Sequence, residues 1–336
     1  MVRRFMGPRQ LFAWLDHRVS DRMLVGGKGA SLSCLARLGA PVPRAGALTT
    51  VAYTAFAGSI GLLHRPTEVA IADLPRIHDQ FMTAPLPEAV ADTLASVFHA
   101  FQAHAGSDLA LAVRSSATAE DSAAFSFAGL HDSILDVRTL ADLETAVRQC
   151  WASLWSERAV AYRRASGLGD EDAAIAVVIQ QLVRSDVSFV VFTTDPVSGN
   201  GDHLVISASW GLGEAIVSGI VTPDHIVVGA DGEILQYTPG AKHRMVIPGA
   251  GPDAGTREVA VPRALQTLPA LTHEQVAAIA AMARSLSRRL GYEADVEGGI
   301  AGDQIFLFQA RPITTLVSGT IIPLSTPTKR AALVPA

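Results

Sequence analysis

Apolar positions recur along the chain in two rhythms. Leu32, Leu35, Ala36 and Leu38 repeat at helical spacing, and Gly39 with Pro41 ends that run. A second helix is predicted after Thr49 and Thr50, residue types that favour N-caps. A third begins at Pro87 and carries Val90, Leu94, Val97 and Phe101 on one face. Residues 140–162 predict one long helix, with Leu143, Val147, Cys150 and Leu154 on its apolar side. Residues 109–113 and 132–137 are apolar runs of strand length. Past about residue 170 the pattern becomes β-rich, with strands predicted over 174–182, 187–193 and 203–209. Two further runs flank Asp231-Gly232, a hairpin signal. Thr272 and Gln275 have capping-box spacing and open a helix that Gly291 closes. Strands over 294–297 and 305–309 complete the pattern. This alternation predicts a mixed α/β (α+β) chain in two lobes, residues 1–185 and 186–316, with a Pro/Thr/Ala-rich tail or linker over 317–336.

Composition narrows the function classes. With 49% hydrophobic and 18% charged residues the chain can bury a sizeable core and is too apolar for disorder. A net charge of -5 argues against a general nucleic-acid surface, which needs clustered positive charge. No apolar run is long enough to predict a membrane span. The basic first residues are interrupted by Gln10, Asp16 and His17, so no secretory leader is predicted. Two distant cysteines, Cys34 and Cys150, make neither a disulfide framework nor a zinc site and fit a reducing, cytoplasmic setting. Of the 27 basic residues only Lys28, Lys242 and Lys329 are lysines, so a lysine in a glycine-rich stretch stands out.

Five segments carry candidate chemistry. In Gly26-Gly27-Lys28-Gly29, glycines allow close backbone approach to a phosphate and the following helix offers free N–H groups. The stretch is not a P-loop, because Arg22 stands where a Gly is needed and Gly29 where a Ser or Thr is needed. It reads equally well as a phosphate site or as a plain glycine-rich helix start. Arg114, at a strand end before Ser115, Ser116 and Thr118, suits an anion pocket, although a Ser/Thr loop with an N-cap has the same composition. Gly129 allows a tight turn over a ligand, and His131 follows it. Asp195, in Thr194-Asp195-Pro196, and Glu214, after Gly211-Leu212-Gly213, sit in segments that leave strands. Last, if Glu297 and Gln309 lie on adjacent antiparallel strands, Asp295 shares a face with Glu297, and Ile305, Leu307 and Arg311 share one with Gln309. A carboxylate and an amide oxygen facing one pocket suit Mg²⁺, with Arg311 beside them for phosphate. A surface hairpin with a charged pair reads the same way.

In this order the segments resemble the N-terminal ATP-binding domain of the phosphoenolpyruvate synthase, pyruvate phosphate dikinase and rifampin phosphotransferase family. That family reads approximately GGKGASL, VRSSATAEDLPEASFAGQ, FTxDPxTG, GLGE with VSGxVTPD, and QxRPIT. The matching residues here are 26–32, 113–129, 192–199, 211–214 with 217–224, and 309–314. Three positions depart from the pattern: Leu130 replaces Gln, Phe189 replaces Gly, and Gly298 replaces an aromatic residue.

The resemblance implies an ATP-grasp-like fold with the nucleotide between the two lobes. It implies that Lys28 and Arg114 contact ATP phosphates, that Gly129 and Ser133 lie along the nucleotide, and that Gln180 is near the adenine. It further implies that Glu297 and Gln309 bind Mg²⁺ and that Arg311 holds phosphate. The expected activity is an ATP- and Mg²⁺-dependent transfer of phosphate to a small-molecule hydroxyl, with Asp195, Glu214 and His131 as candidate bases. One alternative is the ATP-binding subunit of a split dikinase that phosphorylates a histidine on a partner protein, since no segment here resembles the family's phosphohistidine motif. Another is a non-catalytic ATP-binding module.

Overall fold

The computed structural model describes residues 11–16, 21–62, 69–118, 133–165, 167, 169–170, 173–249 and 255–313. The architecture is mixed α/β, built on two antiparallel sheets. Strands β1 (Phe12–Trp14), β2 (Ala45–Leu48), β3 (Leu111–Ala117), β4 (Ser133–Val137) and β5 (Ile175–Gln181) form the first, in the order β1-β2-β5-β3-β4. Strands β6 (Val187–Phe192), β7 (Leu204–Trp210), β8 (Asp224–Val228), β9 (Ile234–Thr238), β12 (Ala294–Ala301) and β13 (Gln304–Pro312) form the second, in the order β13-β12-β6-β7-β8-β9. The remaining pair, β10 (Arg244–Pro248) and β11 (Thr256–Ala260), is a separate hairpin.

Side-chain alternation gives each sheet a covered face and a face turned to the cleft. In the first sheet Leu48, Leu111, Val113, Val177 and Ile179 join a core with helices α2 (Thr50–Ser59), α3 (Leu74–Thr83), α4 (Glu88–Ala105) and α5 (Leu140–Ser153). Tyr53, Phe56, Phe81 and Trp151 are fully buried there, and each such side chain contributes roughly 1.5–3 kcal/mol of transfer free energy. Burial pushes the Tyr53 phenol well above its ordinary value, and its oxygen accepts the Trp155 indole N–H at 3.0 Å. The opposite face packs Ala45, Ala47 and Val178 against Val25 and Leu32 of helix α1 (Arg22–Arg37). In the second sheet Val187, Phe189, Val191, Ile206, Val296 and Leu307 pack under α8 (His273–Leu290). The capping box of α8 forms as expected, and Gly291 closes it in the left-handed conformation.

Several expectations change in detail. The long helix over 140–162 is two helices, α5 and α6 (Glu157–Ala165). Ser156 starts the second, its hydroxyl accepting the Ala159 N–H at 3.2 Å, an N-cap inside the apolar rhythm. Helix α1 starts at Arg22, capped by Asp21, and breaks at Gly26, where φ is 71°; its second part starts just before Lys28, where the glycine-rich helix start is expected. The expected strand over 109–113 is displaced to Leu111–Ala117. Strands β1, β2, β10 and β11 have no clear sequence rhythm, because short elements sample too few periods; helix α3 does repeat Leu74, Ile77 and Phe81 at helical spacing, a signal missing from the expectations.

The hairpin touches both sheets. Val246 packs with Leu212, Ala215 and Val221, and Leu135 and Leu182 lie alongside. Asp136 is buried with a φ of 63°. Its carboxylate accepts two Arg138 N–H bonds, at 2.8 and 3.0 Å, and the Gly249 N–H at 3.0 Å, clamping the hairpin to the end of β4. Lys242 is structural: it is fully buried and pairs with Asp224, which also accepts N–H bonds from Gly240 and Ala270. Among the described residues no helix is long and apolar enough to cross a membrane.

Candidate functional site

A cavity of about 350 Å³ lies between the two sheets. Ala112, Arg114 and Gln180 form one wall, Val190, Glu297 and Gly298 another. Leu135, Leu182, Val183, Leu212 and Phe308 make much of the rest apolar.

Register places the polar groups. Arg114 and Ala112 share a face of β3, and β5 sets Gln180 opposite Ala112, so both polar side chains point the same way. On the second sheet Glu297 pairs with Gln309 across β12 and β13, and with Val190 across β12 and β6. Arg114 then spans the cleft. Its Nη2 donates to Glu297 Oε2 at 3.1 Å and to Gln309 Oε1 at 3.0 Å. The conditional expectation about faces is corrected here. The pairing shifts between Glu297 and Gly298, so Gln309 faces Glu297 while Leu307 faces Gly298. Phe308 is the extra residue of a β-bulge. Leu307 therefore joins the core under α8 instead of sharing a face with Gln309.

The glycine-rich stretch is bolted to the same wall. A Cβ at Gly26 would stand 2.1 Å from the Ser116 carbonyl oxygen, so only glycine allows this approach. Ser116 Oγ accepts the Gly29 N–H at 3.2 Å and donates to the Val25 carbonyl at 2.9 Å. Ser116 lies two residues past Arg114, on the same face of β3. Lys28 is only 9% exposed and sits one turn before Ser31 on α1. Ser31 Oγ in turn donates to the Ala310 carbonyl, between Gln309 and Arg311. Helix α1, which carries Lys28, thus packs against the end of β13.

The other candidates fall as follows. Arg311 forms an ion pair with Asp295, Nε to Oδ2 at 2.8 Å, a pairing that the shared-face expectation did not include. Ser133 lines the cavity from β4. Glu214 heads helix α7 (Glu214–Val217), lines the cavity, and accepts the Thr256 hydroxyl at 2.9 Å. Asp195 does not line it. Asp195 lies three residues past β6, and its carboxylate accepts N–H and O–H bonds from Val197 and Ser198. Burial would raise its pKa, but those bonds outweigh it and hold it below the ordinary carboxylate value. Gly129 and His131 lie outside the described residues. Phe189 borders the cavity, yet its ring belongs to the core under α8. A Cβ on its cross-strand partner Gly298 would lie 2.4 Å from that ring, so the two departures from the family pattern complement each other. Ser185 and Leu135 also line the cavity, and no sequence motif marks them; Leu212, inside the segment 211–214, lines it too.

The fold defines a mixed α/β domain whose two large sheets enclose an apolar chamber with one charged end. The chain belongs to the pyruvate phosphate dikinase AMP/ATP-binding domain family, whose profile matches residues 22–323. It is 40% identical to rifampicin phosphotransferase from Streptomyces sviceus over 88% of this chain and 35% of that protein. It is 36% identical to a probable phosphoenolpyruvate synthase from Methanothermobacter thermautotrophicus, over 89% of this chain and 45% of that protein. The prodigiosin synthesizing transferase PigC of Serratia marcescens is 38% identical over 87% of this chain and 32% of that protein. The chain thus spans less than half the length of these relatives. Its family is one of ATP-dependent phosphotransfer enzymes.

Proposed function

We propose that this chain binds ATP with Mg²⁺ in the cleft and transfers phosphate to a small-molecule hydroxyl. The observation that carries this reading is Arg114, which reaches from β3 to Glu297 and Gln309 of the opposite sheet at the charged end of an apolar chamber. In this reading the two sheets with their helices are the two lobes, dividing near residue 185. The purine occupies the chamber near Gln180, and Ser133 flanks the nucleotide. Lys28, Arg114 and Arg311 neutralise phosphoryl oxygens, so catalysis is mainly positioning and charge.

The residues fit a hard cation. Glu297 Oε2 and Gln309 Oε1 already converge on one positive group, and two oxygen ligands with water and phosphate oxygens suffice for Mg²⁺. When bound, Mg²⁺ would supply bridging charge between phosphate groups. Among the described residues no group of three or more His, Cys, Asp or Glu forms a competing metal site. Of the two candidate bases among the described residues, Asp195 and Glu214, Glu214 is the one that reaches the cavity, and it would hold the acceptor's proton on its carboxylate.

Rifampicin phosphotransferase as a relative supports a small-molecule acceptor. The phosphoenolpyruvate synthase relative, with more than half its length outside the match, supports a second reading in which the acceptor is a histidine on a partner protein. Incubation with MgATP and candidate acceptors, rifampicin included, followed by nucleotide chromatography, separates them. Acceptor-dependent ADP supports the direct kinase. AMP formed only with an added phosphohistidine-domain protein supports the partner reading. Arg114→Met should abolish either product. Saturable ATP binding with no product under any condition would leave a non-catalytic ATP-binding module.

A further inference from the structure

The end of the cavity away from the charged groups has chemistry of its own. Gln180 lies two residue pairs beyond Arg114 along the first wall. On the opposite wall Gly299 lies two residues beyond Glu297 on β12, and each such step covers roughly 7 Å. The space that a Cβ at Gly299 would take is held by Ser185 Oγ, 2.3 Å from that position. Gln180 and Ser185 flank the connection between β5 and β6, from which Gln181, Leu182 and Val183 also line the cavity. Both polar groups therefore stand at the same end.

Both are also unsatisfied. Gln180 is 2% exposed and Ser185 is 8% exposed. Neither Gln180 Nε2 nor Ser185 Oγ has a hydrogen-bond partner among the described residues. An unmet buried polar group costs about 1–3 kcal/mol, so two that line one cavity call for a ligand that meets them. The amide nitrogen only donates, whereas the hydroxyl donates or accepts. A ligand that satisfies both presents at least one acceptor on a polar edge. Leu135, Leu182, Val183, Leu212 and Phe308 supply apolar surface around that edge. A flat heteroaromatic ring has this combination of apolar faces and polar rim.

We infer that Ser185 reads the base: its hydroxyl and the Gln180 amide bind the polar edge of the purine and set the preference among purine nucleotides. This rests on the nucleotide reading above. Gln180 follows from the family resemblance, but Ser185 follows only from its place on the wall. The hydroxyl fits there because position 299 is glycine.

Titration calorimetry of the full chain with MgATP, MgGTP and magnesium tripolyphosphate tests the assignment, since tripolyphosphate engages only the charged end. Ser185→Ala should raise the ATP dissociation constant about tenfold and change the ATP:GTP ratio. It should leave tripolyphosphate binding and the melting temperature as in wild type. Unchanged ATP affinity and ATP:GTP ratio in Ser185→Ala would overturn the inference, as would equal losses for ATP and tripolyphosphate, which indicate a structural role. If wild type binds tripolyphosphate but not ATP, the base end itself is misassigned. Wild type that binds none of the three overturns the nucleotide reading beneath it.

Discussion

At the residue scale, ion pairs decide more than composition suggests. Asp170 is the best case for pH dependence. Burial raises its pKa, but the Val69 N–H and the guanidinium groups of Arg164 and Arg163 outweigh that and hold it below the ordinary carboxylate value. A depressed folded pKa means the stabilisation is complete above the unfolded value, roughly 3.9, and is lost as pH falls through the folded one. Asp170→Asn should therefore destabilise the chain by about 3 kcal/mol at neutral pH, by leaving Arg163 buried without its charge partner. It should also shrink the difference between neutral and acid stability, measured by urea unfolding from pH 7 down to 3. Of the candidate site residues, Arg114, Glu297 and Gln309 stand out in the sequence by their own chemistry, whereas Gln180 follows only from the family resemblance. Ser185 is not legible there, because one serine between Arg184 and Asp186 has no motif around it and matters only through Gly299 on a distant strand.

At the scale of elements, glycines mark where strands and helices meet. Gly26 combines a φ of 71° with the close approach to Ser116. Gly26→Ala should cost at least about 1–2 kcal/mol in the left-handed region alone, with further loss from overlap with the carbonyl. Thermal unfolding would read this as a fall in melting temperature, together with weaker nucleotide binding as the start of α1 shifts. The Phe189–Gly298 pair predicts a coupling. Gly298→Ala forces its Cβ into the Phe189 ring, and Phe189→Ala leaves a cavity under α8. The double variant should be less destabilised than the sum of the single ones, by about 1 kcal/mol, in a chemical-denaturation cycle. The helices over 88–105 and 273–290 were legible, because long amphipathic elements repeat their period several times. The break between α5 and α6 was not, because Ser156 caps a helix inside a continuous apolar stripe.

At the scale of the whole molecule, the cleft is an interface between two sheets held by few polar ties. Arg114 crosses it directly, and the Asp136–Arg138 clamp fixes the β10–β11 hairpin against both sides. A ligand that bridges both walls should stabilise the chain as a unit. Excess MgATP at about 100 times its dissociation constant should add roughly 2.7 kcal/mol to unfolding free energy. In differential scanning fluorimetry that shift should appear with wild type and vanish with Arg114→Met. A shift retained in the variant would place the nucleotide elsewhere.

The order of five short motifs and the local rhythms of apolar residues were enough to give the family and the mixed α/β class, and to nominate Arg114, Glu297 and Gln309, which the fold brings within hydrogen-bond distance. Those properties depend on neighbours in the chain, where spacing and residue type act directly. Tertiary structure alone decided the bulge at Phe308 that separates Gln309 from Leu307, the pairing of Arg311 with Asp295, and the two unmet polar groups at the far end of the cleft. Each depends on strand register between segments far apart in sequence. Register follows from how whole faces pack, and a one-residue shift reverses which side chains meet.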